Sequence, residues 1–326
     1  MRQAGRSLPE YFPVRGEGTI LDAISVPERA AEITMQPVRR YGVDAAILFS
    51  DIVTPVWAAG FGIDITPGVG PECERPFSSA DDLERLRPLD PDSDLGFQTD
   101  TIKILTAELD IPLIGFAGAP FTLAAYLIEG KPSRTYTKVK GLMFSQPDLW
   151  HRLCDRLADL AITTLASQVE AGASVVQLFD SWAGALHPEH YRQFVAPHSA
   201  RILSAMADID IPTIHFGINT GELLDQFAEV GALAVGVDWR TSLAEARHRT
   251  GGRVALQGNL DPAIINAGWP VVEAEVRRVL ADNGSHPGHI FNLGHGVLPE
   301  TDPDVLARVV ELVHAEGRAD AVPTDR

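Results

Sequence analysis

Seven short apolar, β-branched runs recur along the chain, at 44–51, 111–118, 174–181, 211–217, 232–239, 253–259 and 289–295. Each is about one strand long. Between them lie helical stretches at 27–41, 143–172, 188–208, 262–282 and 303–315, several opened by a proline suited to a first helical turn. Strands alternating with helices pair in parallel through right-handed crossovers. A doubly wound sheet and a barrel both satisfy that alternation, and the polar residues decide between them. They fall where the runs end, as Phe49-Ser50-Asp51, Phe116-Ala117-Gly118, Asp180-Ser181, His215-Phe216-Gly217, Asp238-Trp239, Gln257-Gly258-Asn259 and Gly294-His295-Gly296. In a barrel every such end converges on one mouth, whereas an open sheet converges only at its switch point.

The expected fold is therefore α/β, a single-domain (β/α)8 TIM barrel. The length of 326 residues is ample for one, since such barrels run to about 250 residues or more. Seven runs are one short of eight, and the pattern begins with a helix, so strand one belongs just before Arg2. The expectation is a first strand truncated at the N-terminus by a start that lies inside a longer gene; the alternative is an incomplete barrel with unpaired edges. The barrel is assigned to 1–315 and a polar, disordered C-terminal tail to 316–326. The Gly- and Pro-rich segment 55–76 reads as a long functional loop.

With 27 basic and 44 acidic residues the net charge is −17, which argues against a nucleic-acid surface and, at long range, against an anionic small molecule. A carboxylate-rich substrate would need a locally positive cleft. No apolar run reaches the roughly 18 residues of a membrane span, and no signal-peptide core opens the chain, so a cytoplasmic protein is expected. Cys73 and Cys154 stand far apart in no metal-binding spacing and read as buried or inert thiols. No phosphate-binding, dinucleotide or zincin motif occurs.

The first residues, Arg2-Gln3-Ala4-Gly5-Arg6, set two permanent cations around a small, bendable dipeptide. Guanidinium groups grip carboxylates in a fork and keep their charge, so the pair suits a multi-carboxylate ligand; equally, both could solvate a chain end. Asp51 closes an apolar strand and needs a partner, either a ligand with N–H donors or the next helix, which it would cap. Tyr126 lies within segment 115–130, after its small residues and a strand-to-helix turn, and serves as a core tyrosine or a donor. Ser181 lacks a nucleophile elbow and reads as a hydrogen-bond donor. His295 stands between two glycines, where a ligand can approach the backbone closely.

Taken in order, RQAGR with Leu8-Pro9-Glu10-Tyr11, then Phe49-Ser50-Asp51, GFAGAPFTL, QLFDSWAG, QGNLDP and FNLGHG resemble the uroporphyrinogen decarboxylase family throughout the chain. The resemblance implies a single (β/α)8 barrel, a homodimer, and conversion of the four acetates of uroporphyrinogen III to the methyls of coproporphyrinogen III without cofactor or metal. It carries substrate binding to Arg2, Gln3, Ala4, Gly5, Arg6, Asp51, Tyr126, Ser181 and His295, with Asp51, Arg2 and Arg6 catalytic, and Arg15 where the family often has another arginine. Two departures stand out: Ser7 replaces the aromatic residue usual after RQAGR, and the usual upstream segment is absent. Proton donors left open are Arg2, Arg6, His295 and bound water. A zinc-dependent methyltransferase on a related barrel, or a catalytically silent porphyrinogen-binding protein, is the competing reading.

Overall fold

The computed structural model describes residues 6–317 apart from Pro67 and Ser285, so Arg2, Gln3, Ala4 and Gly5 and most of the C-terminal tail lie outside the described residues. In chain order the strands are β1 (Ala46–Ile47), β2 (Ile63–Thr66), β3 (Gly70–Cys73), β4 (Leu113–Gly118), β5 (Val175–Phe179), β6 (Thr213–Phe216), β7 (Ala234–Gly236), β8 (Ala255–Leu260) and β9 (His289–Leu293). Each of the seven apolar runs contains one strand of a single seven-stranded sheet, ordered β1-β4-β5-β6-β7-β8-β9, with every neighbouring pair parallel. All six residues of β4 are buried, as a strand covered by helices outside and side chains inside must be.

Helices form the outer layer. The longest, Pro147–Glu170, buries Leu149, Leu153, Leu157, Leu160, Thr164 and Gln168, a stripe at helical spacing turned to the sheet. Its Trp150 indole donates to the Phe194 carbonyl at 2.9 Å and ties this helix to the next unit. Three helical stretches are interrupted where the sequence pattern reads them as continuous. Prolines account for two: 143–172 resolves into Thr137–Ser145 and Pro147–Glu170, and 188–208 into Pro188–Phe194 and Ala196–Ala207, with Pro197 in the first turn of the later helix. In 262–282, Gly268 at φ +86° separates a 3-10 turn, Pro262–Asn266, from the helix Trp269–Asn283.

Segment 55–76 is not a plain loop. It continues the short helix Thr54–Ala58 and then forms an antiparallel hairpin in which Ile63 pairs with Cys73 and Thr66 with Gly70. Ile63 and Ile65 are buried while Asp64 and Thr66 are exposed, the period-two alternation of a half-covered strand. The surrounding glycines and prolines hide that alternation in the sequence.

The parallel sheet curls so that its strand ends meet at one mouth, as a barrel requires, but among the described residues it does not close. Strands β1 and β9 are its two ends, and a groove lined by Ala45, Ile47, Phe291, Leu293, Val309 and Val310 runs between them under the helices Pro27–Tyr41 and Pro303–Glu316. Edge strands open more readily than central ones. Native-state hydrogen exchange on this chain is therefore expected to show faster exchange at β1 than at β5; equal protection across the sheet would show that the seam is covered.

Candidate active site

Strand ends and the loops after them build a cavity of about 500 Å³ at the mouth. Arg6, Asp51, Tyr126, Ser181 and His295 all line it, so every described residue that the sequence reading assigned to the site is brought together; Arg15 joins them.

Asp51 is held by its own turn. Its Oδ1 accepts the Val53 N–H at 3.2 Å and its carbonyl accepts the Thr54 N–H at 3.1 Å, which launches the Thr54–Ala58 helix. Asp51 thus shapes the turn before the helix and does not cap it, since the N-cap is Val53 and no side chain caps there. Oδ2 lies 3.6 Å from the Arg6 guanidinium, with the Asp51 side chain 15% exposed. At that distance the pair has Coulomb attraction without a tight hydrogen bond, and Oδ2 keeps lone pairs for an N–H donor.

Buried amides brace the same strand end. Gln168 donates to Gln98 Oε1 at 2.9 Å, Gln98 donates to Ser50 Oγ at 2.9 Å, and Ser50 and Thr54 hydroxyls meet at 3.2 Å. Sequence reasoning missed this support. Its signal was present, because Gln98 and Gln168 occupy core-facing positions in helical stretches where a polar side chain needs a partner.

Arg6 donates to the Ser50 carbonyl at 3.0 Å, and its guanidinium lies 5.5 Å from the centre of the Phe49 ring. The chain just after it is pinned: Leu8 is fully buried, Tyr11 packs edge-on against Phe49 at 6.0 Å, and Gln36 donates to the Glu10 carbonyl at 3.0 Å. Leu8-Pro9-Glu10-Tyr11 therefore anchors the arginine loop from its C-terminal side. Arg15 donates to the Gly18 carbonyl at 3.2 Å and supplies a second described cation to the cavity.

Tyr126, on the helix Pro120–Glu129, stacks on Trp182 with ring centres 4.1 Å apart. Burial pushes its phenol well above the usual range, and the negative charge of Asp51 adds to the effect. At neutral pH it is a fixed hydrogen-bond donor. Ser181 follows β5, and His295 follows β9 with its ring edge-on to Trp239 at 6.3 Å. The inner wall is aromatic: Phe116, Phe179 and Phe216 come from three adjacent strands, with successive ring centres 5.3 and 6.0 Å apart. The hairpin completes the far side through Ile65, Val69 and Pro71. Neither the rings nor the hairpin figured in the sequence reading as site residues.

Among the described residues no group of three His, Cys, Asp or Glu side chains is placed to hold a metal ion. Burial pushes the Cys73 thiol to about 11 and the Cys154 thiol well above its usual value, so neither is a ready thiolate.

An arginine–carboxylate pair facing a deep, ring-lined mouth defines a barrel enzyme built for an anionic ligand that carries flat, apolar surface. A methyltransferase from Methanosarcina mazei shares the fold, with a TM-score of 0.75, 20% sequence identity and coverage of 93% of this chain and 92% of that one. The family model for uroporphyrinogen decarboxylase matches residues 1–316, and the chain belongs to that family. Proteins named uroporphyrinogen decarboxylase from Salinispora tropica and Streptomyces griseus are 59% and 56% identical to it over 315 and 317 residues. Those alignments cover 96% and 97% of this chain, and 85% and 87% of the relatives.

Because Leu8 is fully buried beneath the arginine loop, Leu8→Ala is expected to lower the unfolding free energy by roughly 2–5 kcal/mol. A urea titration reads this directly. An unchanged midpoint would mean that the loop is not anchored there.

Proposed function

We propose that this protein removes the carboxyl groups from the four acetate side chains of uroporphyrinogen III, giving coproporphyrinogen III in tetrapyrrole biosynthesis. The observation that carries the reading is the Asp51 carboxylate, which faces an aromatic cavity beside Arg6 in a chain of the uroporphyrinogen decarboxylase family. The porphyrinogen macrocycle has four pyrrole N–H groups at its centre and carboxylates round its rim. One anionic acceptor with Arg6 and Arg15 lining the same cavity suits that distribution.

Each decarboxylation consumes one proton and releases CO₂. Protonation of a pyrrole carbon makes the ring cationic, and the electrons of the breaking C–COO⁻ bond flow into it. Protonation of the resulting methylene gives the methyl group, and loss of the ring proton restores the pyrrole. The ring is its own electron sink, so the step needs no bound cofactor. Asp51 accepts the pyrrole N–H groups and stabilises the developing cation in a site largely screened from water, an effect worth about 3 kcal/mol or more for one well-placed group. Arg6 and Arg2 orient the reacting carboxylate, and Gln3, Ala4 and Gly5 are assigned to substrate binding on the family likeness. Tyr126, Ser181 and His295 position the macrocycle, with Arg15 as a further cation.

The same reading keeps 1–315 as the barrel and 316–326 as a polar tail, and takes the homodimer and the cytoplasm from the family likeness. Among the described residues no helix is long and apolar enough to cross a membrane. Anaerobic incubation with uroporphyrinogen III, followed by oxidation and chromatography, is expected to show coproporphyrin. Asp51→Ala should cut turnover by about a hundredfold or more and Ser181→Ala by less than about tenfold. Equal, mild losses would remove Asp51 from the catalytic role.

A further inference from the structure

Directly behind Ser181 lies a carboxylate for which the reaction above has no use. Asp180 is fully buried, and by strand alternation it points outward from the end of β5, away from the cavity. Its Oδ1 accepts the Thr122 hydroxyl at 2.9 Å, while Oδ2 has no partner among the described residues. The oxygen of that same hydroxyl accepts the Trp182 backbone N–H at 3.2 Å. Trp182 in turn carries the ring stacked on Tyr126, and Ser181 sits between Asp180 and Trp182 in the chain. One buried contact therefore underlies two cavity-lining side chains on separate elements.

We propose that Asp180 is a positioning residue, whose carboxylate acts through Thr122 to fix the Ser181–Trp182 turn and, by way of Trp182, the Tyr126 wall of the cavity. This rests on the reading of the cavity as the active site. Ionised, Asp180 accepts the Thr122 hydrogen bond and so directs that oxygen's lone pairs to the Trp182 N–H. Protonated, it carries an O–H donor of its own, and that proton, turned to the Thr122 oxygen, displaces the Thr122 hydrogen bond and shares the oxygen with the Trp182 N–H. The turn is then held less firmly.

The surroundings make such a change accessible near neutrality. Burial pushes the Asp180 carboxyl up to about 7, against the opposing pull of the Thr122 side chain and backbone. The titratable groups packed near it are neutral there: the Cys154 thiol and the Tyr191 phenol are both held well above their usual values. His215, on the outer face of neighbouring β6 and stacked on Phe227, is pushed down to about 3 by burial. Among the described residues no cation offsets the charge that Asp180 acquires on ionising.

The test reads the turn without substrate. Trp182 emission, isolated as the difference between the protein and its Trp182→Phe variant, is followed between about pH 5 and 9. The wild-type protein is expected to show a transition centred near neutrality. Asp180→Asn, which mimics the protonated acid and cannot ionise, and Thr122→Val, which removes the relay, should both lack it. Turnover measured in parallel should rise through the same pH range in the wild type and stay flat and severalfold lower in Asp180→Asn. A transition that persists in Asp180→Asn, or a wild-type emission that does not respond, overturns the proposal. If Asp180→Asn does not fold, Thr122→Val decides by the same criterion. Loss of the emission transition in both variants, with no turnover even in the wild type, would retain the positional link and reject the decarboxylase reading.

Discussion

The Asp51 carboxylate is the group on which the site depends, because an anion at the rim of an apolar barrel survives only where its environment satisfies it. One oxygen is spent on the Val53 N–H and so fixes the turn; the other looks across 3.6 Å to Arg6. A loose, partly exposed ion pair 3.6 Å across contributes little to stability. Its consequence is geometric. Arg6 reaches Asp51 because Leu8 and Tyr11 pin the loop, and Asp51 keeps its direction because Ser50 and Thr54 are braced by Gln98 and Gln168. Backbone, core and charge meet at one side chain.

The parallel sheet explains why the other groups gather there. Strands that all run one way deliver their C-terminal ends to the same face, so residues as distant in sequence as Asp51, Ser181 and His295 line a single cavity. Phe179 pairs in register with Phe216, Phe116 lies two residues before Gly118, the β4 partner of Phe179, and the three rings meet edge to face and give the cavity low-polarity walls. Between such walls a fixed charge acts on a ligand far more strongly than it would in water. The strongly negative chain can therefore offer an anionic substrate a favourable site through Arg6 and Arg15.

Much of this was legible in the residues. The seven strands were readable because parallel strands buried on both faces must be nearly continuous apolar runs, and the mouth because polar residues are tolerated at such strands only where they end. Asp51, Ser181 and His295 were found at or just after strand ends and Tyr126 on the helix that follows β4, and the structure brings them together. What escaped is partly local and partly long-range. The β2–β3 hairpin escaped because its alternation spans only four residues per strand amid glycines and prolines. The breaks at Gln146 and Val195 are local consequences of proline that an apolar period overrides. The Gln168–Gln98–Ser50 chain joins positions 70 and 48 residues apart, and no local pattern can announce such pairs. The same holds for Asp180 and Thr122, 58 residues apart.

The central claim is that Asp51 receives the pyrrole N–H groups of a tetrapyrrole seated against Phe116, Phe179 and Phe216. The most direct measurement is a crystal structure of the protein with coproporphyrinogen III bound under anaerobic conditions. The account predicts pyrrole nitrogens within about 3 Å of the Asp51 carboxylate and a rim carboxylate on Arg6. A macrocycle bound elsewhere, or turned so that its carboxylates face Asp51 and its nitrogens face solvent, would contradict it.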